Sequence, residues 1–227
     1  LLQLEWMNGI QFYLRQDVSM VRGHTIYYDS PWALTSISQR QFWGEEIVTL
    51  LNKNKVEGIL SLCISDWNKT GIIYGKTAKE SSYEEIKNEV LAQIRIELDA
   101  DIAEQLNDDN IVTWYLASSI HDTPEGKIDA EPLMINVAGT YHYRPSAVTA
   151  IANLFLAADY VQTTTDLACM EGANEAARRA VNGIIKASGS NDLDCDLWEL
   201  ADFEELAYLR EEDRVRFGQG FLNVFDL

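Results

Sequence analysis

The sequence is poor in cysteine, holding only Cys63, Cys169 and Cys195 among 227 residues. They are odd in number and widely spaced, with no C-x-x-C pair and no zinc spacing. A disulfide framework and a structural metal are therefore not expected, and a reducing compartment fits best. Histidine is as scarce. His24, His121 and His142 are scattered, and their spacing supports no Ser/His/Asp nucleophilic site. No apolar run approaches the roughly 20 residues of a membrane-crossing helix. A G-x-G-x-x-G phosphate loop is missing too; the nearest string, Gly218-Gln219-Gly220, lies in the tail and follows no strand. Positive charge is short: 18 Lys and Arg stand against 36 Asp and Glu, a net charge of −18. That balance argues against non-specific binding to nucleic acid or to an anionic membrane. It suits an acidic, soluble surface or an acidic docking face. No internal repeat, low-complexity tract, signal peptide or initiator Met is visible, and the chain is expected to begin inside a longer one.

What is present is ordinary for a globular domain: 47% hydrophobic and 24% charged residues. Residues 9–15, 24–28, 58–65, 111–117, 133–137 and 153–157 read as strands, from their β-branched, aromatic or continuous apolar runs. Residues 38–51 have helical spacing, with Phe42, Trp43, Ile47, Leu50 and Leu51 on one face. Residues 82–106 form the clearest helix: Ser82 with Glu85 makes a capping-box spacing, and Ile86, Val90, Ile94 and Leu98 recur every four residues. Residues 170–187 form a second strong helix. Residues 190–196 are a polar break, and the tail from Leu197 (WELADFEELAYL) is expected to be helical at first. Runs of strands with helices between them give a mixed α and β class.

The most informative stretch is 153–185, NLFLAADYVQTTTDLACMEGANEAARRAVNGII. Here an apolar strand would deliver Asp159 at its C-terminal end, the edge where open α/β sheets bind ligands. A polar connection follows, and then a helix whose first turns hold Gly172, Ala173, Ala176 and Ala177. Small residues allow a flat ligand or another backbone to come close. The free N–H groups and positive dipole end of that helix suit an anionic or electron-rich group. The same strand, loop and alanine-rich helix also describe any βα unit. Arg178-Arg179 reads as a solvated or partner-facing pair on the outer face.

NLFLAADY followed by MEGANEAARRAVNGII resembles the C-terminal FAD-binding segment of the flavin amine oxidase and phytoene desaturase superfamily. EWMNGIQFYL, GHTIYYDSPWALTSISQRQFW, TYHYRP and LWELADFEELAYLREEDRVRFGQG look like its hydroxysqualene dehydroxylase branch, so the resemblance spans nearly all of the chain. It implies FAD as cofactor. Asp159 would meet the ribityl or pyrophosphate region, beside Ala158 where the family has glycine. Cys169, Met170 and Ala173 would line the flavin, and the helix start would stabilise negative charge on the reduced ring. Tyr141 and His142, just upstream of the flavin strand, would lie near the active site as aromatic shaping or a proton relay. Trp32, in the apolar stretch 30–36, is either a wall of a lipophilic substrate tunnel or part of a packed loop. Metal ligands are not expected.

The resemblance further implies a substrate-binding domain over 1–150, built on a mixed sheet with helices. A C-terminal FAD-binding segment over 151–190 would return into a Rossmann-like domain, and a helical acidic tail would occupy 191–227. The Gly-rich half of the FAD site would come from another polypeptide or from a missing part of a longer chain. The implied chemistry is hydride transfer between flavin and an apolar terpenoid, carotenoid or lipid substrate. Amine oxidation, flavin-dependent isomerisation and a non-catalytic subunit stabilising a flavoenzyme partner are the alternatives. The expected setting is cytoplasmic, with room for peripheral attachment to a membrane.

Overall fold

A computed structural model describes residues 2–18, 20–137, 139–199 and 203–224. These residues fall into two units, one over Gln3–Ile135 and one from Asn136 onward.

The first unit is built on a sheet. Strands β2 (Asn8–Leu14), β3 (His24–Ile26), β4 (Thr35–Ser38), β5 (Gly58–Ile64) and β6 (Ile111–Leu116) form it in the order β3-β4-β5-β2-β6. All its pairings are antiparallel. Short strands β1 (Gln3–Glu5) and β9 (Leu133–Ile135) pair separately, and β7 (Ile120–Thr123) with β8 (Gly126–Asp129) makes a hairpin. Alternation decides which face is buried. Ile10, Phe12 and Leu14 on β2 and Leu60, Leu62 and Ile64 on β5 point into the core. Helix α2 (Tyr83–Glu97) covers that face with Ile86, Val90, Leu91 and Ile94. Its N-terminus is fixed by the capping box read from the sequence: the Glu85 N–H donates to Ser82 Oγ, and the Ser82 N–H donates to the Glu85 carboxylate.

The mixed α and β class holds, and the strands expected near 9–15, 24–28, 58–65, 111–117 and 133–137 form with small changes at their ends. Four expectations are corrected. Residues 38–51 are not one helix: Thr35–Ser38 is a strand, Arg40–Phe42 a single 3-10 turn, and α1 is Glu45–Lys53. The β-branched Thr-Ser-Ile run pairs on both sides inside the sheet, and Gly44, in an extended conformation, starts α1 afresh. The helix over 82–106 is two helices, α2 and α3 (Ala100–Gln105), because Leu98 and Asp99 are extended. Residues 153–157 form no strand. Phe155 makes one isolated bridge to Val148, and Asn153 and Leu154 are exposed. A fully apolar strand needs cover on both faces, and among the described residues no sheet receives it. The tail, finally, has no regular secondary structure at residues 190–199. Its helix α5 (Ala207–Gly218) begins ten residues later than expected, after a 3-10 turn at Glu204–Leu206.

One loop of this unit is unusually determined. The N–H groups of Ile72, Ile73 and Tyr74 donate to the buried Glu89 carboxylate at 2.5, 3.0 and 3.4 Å, and Gln93 Nε2 donates to it at 3.0 Å. Gln93 Oε1 in turn accepts from Ser30 Oγ and the Trp32 N–H. The loop wraps so closely that a Cβ on Gly71 would stand 2.4 Å from the Glu89 carboxyl carbon, so a larger residue there would have to displace the carboxylate from its donors.

The second unit holds helix α4 (Met170–Ser188), which buries Ala176 and Ala180 against Ala147 and Val161, with Phe155 and Leu156 at the margin. This small cluster leaves much of α4 to be held by polar contacts.

Candidate functional site

Those polar contacts converge on the loop that leads into α4. Glu175, one turn inside the helix, is 8% exposed. Its carboxylate accepts from the Thr164 N–H at 2.7 Å, the Thr165 N–H at 3.1 Å, the Thr165 hydroxyl at 2.9 Å and Arg179 Nε at 2.8 Å. Burial alone would push this carboxyl up. The Thr164 N–H, Arg179 and the two Thr165 donors outweigh it and hold it at about 2, well under the ordinary 4.5. Arg179 also donates to Thr164 Oγ1 at 2.9 Å. Arg179 is thus part of this cluster, a correction to its expected place on a solvated outer face. Its partner Glu175 lies at i−4, the spacing at which helical acids and bases meet.

A second cluster holds the same loop from the other side. Arg144, 5% exposed, lies 2.9 Å from Asp166 Oδ1 through Nη1. That contact is an ion pair without hydrogen-bond alignment, since Nη1 makes no bond of good geometry. Arg144 Nη2 donates to Asn136 Oδ1 at 2.6 Å, and Asn136 Nδ2 donates to the Asp166 carbonyl. Asp166 is left-handed, with φ of 44°. Asparagine and aspartate tolerate that region better than most residues, and the ion pair helps to hold it.

The outcome is a fixed helix start. Cys169 is the extended N-cap residue, and its Sγ accepts from the Gly172 N–H at 3.4 Å. A Cβ on Gly172 would meet the Leu167 carbonyl at 2.6 Å. Gly172, Ala176 and Ala180 are thus small for reasons internal to the fold. Ala173 and Ala177 are only partly buried. Met170 is 84% exposed and Leu167 is 55% exposed, so the mouth of the helix presents uncovered apolar surface beside first-turn N–H groups. Met170, Glu171, Asn174, Arg178 and Trp198 line a cleft of about 480 Å³ there. The tail reaches this cleft because it is tied along α4. Asn182 exchanges two bonds with the Cys195 backbone, Arg178 donates to the Asp196 carbonyl, and the Arg178 guanidinium stacks over the Trp198 ring at 4.7 Å. Arg178 is therefore engaged too, and these ties hold 197–199 out of a helix.

Asp159 sits in a turn closed by the Val161 N–H on the Ala158 carbonyl, and its carboxylate has no protein partner among the described residues. Tyr141, in a 3-10 turn over Tyr141–Tyr143, donates its hydroxyl to the Thr163 carbonyl at 3.1 Å. It lines a polar groove of about 760 Å³ with Gln162, Arg179, Asn182 and Lys186. His142 is exposed, its ring 4.0 Å from that of Tyr143. Trp32 belongs to the other unit, where it is fully buried in the core with its indole N–H on the Lys69 carbonyl. Among the described residues no cluster of His, Cys, Asp and Glu could hold a metal, and no helix is long and apolar enough to cross a membrane.

The residues that organise the site, Glu175, Arg144, Asp166 and Asn136, were not singled out from the sequence. Glu175 carried one signal, an acid four residues before an arginine inside an alanine-rich helix. The other three meet only through folding.

The family model for flavin containing amine oxidoreductases matches residues 40–185, well over half of the chain. No curated protein sequence matches it. The chain belongs to the flavin containing amine oxidoreductase family, a family of flavin-dependent oxidoreductases.

Proposed function

We propose that this chain supplies the substrate-facing domain and the ring-contacting end of a flavin site, in an oxidoreductase that moves hydride between flavin and an apolar substrate. The observation that carries the reading is the α4 start: a helix mouth pinned by two polar clusters, yet with Met170 exposed and the N–H groups of Met170 and Glu171 given to no acceptor among the described residues. A structure that spends a buried glutamate and a buried arginine on holding one loop has reason to fix what that loop presents.

The residues fit one end of FAD and not the other. The N–H groups of Met170 and Glu171, beside a partly exposed Ala173, suit the electron-rich pyrimidine edge of a flat ring. The unpaired Asp159 carboxylate suits hydroxyl donors of a ribityl chain. Among the described residues none suits the diphosphate. Gly218-Gln219-Gly220 ends α5 and follows no strand, with Gly220 left-handed at φ 76°. The Gly-rich half is therefore proposed to come from residues outside these 227.

FAD supplies the two-electron chemistry when bound. The chain's own part is positional and electrostatic. The α4 dipole stabilises negative charge placed at its mouth. Cys169, Met170 and Ala173 present backbone and an apolar side chain to the ring. Tyr141, its hydroxyl given to the Thr163 carbonyl, and His142, its ring tilted at 43° against that of Tyr143, would shape one wall of the site. The exposed apolar mouth favours a terpenoid, carotenoid or other lipid-like substrate. An amine substrate is the second reading, favoured by the family's own description. Anaerobic mixing separates the two, because flavin bleaching would follow one substrate class and not the other.

Asp159→Ala tests the site directly. In the complete flavin-binding assembly, FAD affinity should fall by roughly 1.5–3 kcal/mol, the worth of a charge-assisted hydrogen bond. A fluorescence titration with unchanged FAD affinity would remove Asp159 from the site.

A further inference from the structure

The tail turns back along α4. Gly189, left-handed at φ 69°, ends the helix and reverses the chain. Cys195 then lies beside Asn182. The Asn182 side chain accepts from the Cys195 N–H at 2.7 Å and donates to the Cys195 carbonyl at 2.9 Å. One amide side chain, with its donor and its acceptor, thus satisfies both backbone groups of a residue outside any helix or sheet. Three residues on, Trp198 lies beside Arg178, one turn nearer the helix start. The segment therefore runs antiparallel to α4 as a strap, held by side chains of the helix.

Arg178 is itself held from three sides. Its Nε donates to Asn174 Oδ1 at 2.9 Å, its Nη1 donates to the Asp196 carbonyl at 3.2 Å, and its guanidinium lies over the Trp198 ring at 4.7 Å. A guanidinium fixed in this way fixes the indole it stacks on. Yet Trp198 is 66% exposed. A large aromatic side chain that is held in place and left uncovered is short of a neighbour. It lines the cleft of about 480 Å³ whose helix side is formed by Met170, Glu171 and Asn174. Small-molecule sites have that size, about 300–1,000 Å³. Indole and thioether both favour contact with a flat aromatic ring.

We propose that the strap makes Trp198 a ring-binding residue: its indole is the wall of the cleft on which the isoalloxazine of the flavin stacks, with Met170 on the helix side. The inference rests on the reading of the α4 start as the ring end of a flavin site, and it adds a residue from another segment. Trp198 lies beyond residues 40–185, the part that the family model matches, so membership of the family does not assign it. Arg178 and Asn182 are positioning residues here. They hold the strap and the indole and do not stack on the ring.

Riboflavin tests this on the full chain, because it carries the ring and the ribityl but no diphosphate. A titration followed by riboflavin fluorescence should show binding with strong quenching, since a stacked indole quenches flavin emission and a phenyl ring does so weakly. Trp198→Ala should weaken binding about fivefold, as expected for one aromatic contact, and remove most of the quenching. Trp198→Phe should keep the affinity within about twofold while losing the quenching. Asn182→Ala should weaken binding about as much as Trp198→Ala, and chymotrypsin should cut its tail at Leu197 or Trp198 several-fold faster than in the parent. Circular dichroism should be unchanged in all three. Equal binding and quenching by the parent and Trp198→Ala overturns the proposal and leaves the flavin reading standing. A parent that binds no riboflavin also overturns it, and FAD content of the complete assembly then decides the flavin reading separately.

Discussion

Glu175→Ala should destabilise the chain by roughly 3 kcal/mol at pH 7, from a carboxyl held at about 2 where 4.5 is ordinary. The substitution removes the common acceptor of Thr164, Thr165 and Arg179, and it leaves two loop N–H groups and a guanidinium without their partner. The pH dependence has a definite sign. A carboxyl whose folded value is depressed stabilises the fold above about 4.5, and that contribution is lost as pH falls from 4.5 toward 2. Urea unfolding at a series of pH values should therefore show the difference between parent and Glu175→Ala shrinking across that window. Glu80, Glu85 and Glu211 are also held down by their partners, but they are common to both proteins and cancel in the difference. A constant gap from pH 7 to pH 3 would show that Glu175 is not the charged anchor of the loop.

The second large effect is at Ala173. Gly172 is small because the Leu167 carbonyl crowds it, and Ala176 and Ala180 because they pack in the small cluster. Ala173 has neither reason. Partly exposed at the helix mouth, it is proposed to be small because a flavin ring leaves no room. Ala173→Leu should abolish flavin binding in the complete assembly or shift the visible spectrum, while the helix persists because leucine is a good helix former. Lys186→Leu, near the other end of α4, should change neither. Visible absorbance read beside circular dichroism separates the two outcomes. A normal flavin spectrum with Ala173→Leu would mean that the helix start does not lie against the ring.

Periodicity was the reliable signal. The four-residue spacing of Ile86, Val90 and Ile94 set the face of α2, and alternation on β2 and β5 set the face of the sheet, because burial of one face is what such patterns record. Failures came where a pattern needs a partner. The apolar run 153–157 has strand composition, but a strand is a property of a sheet, and none receives it among the described residues. Trp198 sits in a run with helical composition and is drawn out by Arg178 and by the Asn182–Cys195 bonds. The start of the helix was legible, since Met170 does begin a long helix with Cys169 before it. Its scaffolding was not. Arg144, Asn136 and Asp166 are up to 30 residues apart in sequence and come together only through folding. Nor does composition show that an isolated aspartate is left-handed.

The central claim, that this chain holds the ring end of a flavin site and lacks the diphosphate end, is tested most directly by flavin content. Mass spectrometry with an absorbance scan should find FAD in near-stoichiometric amount on an assembly that adds the Gly-rich half, in the same chain or as a second one. The 227-residue chain alone should carry little or none. Stoichiometric FAD on the isolated chain, or a complete assembly that stays colourless when FAD is supplied, would contradict it.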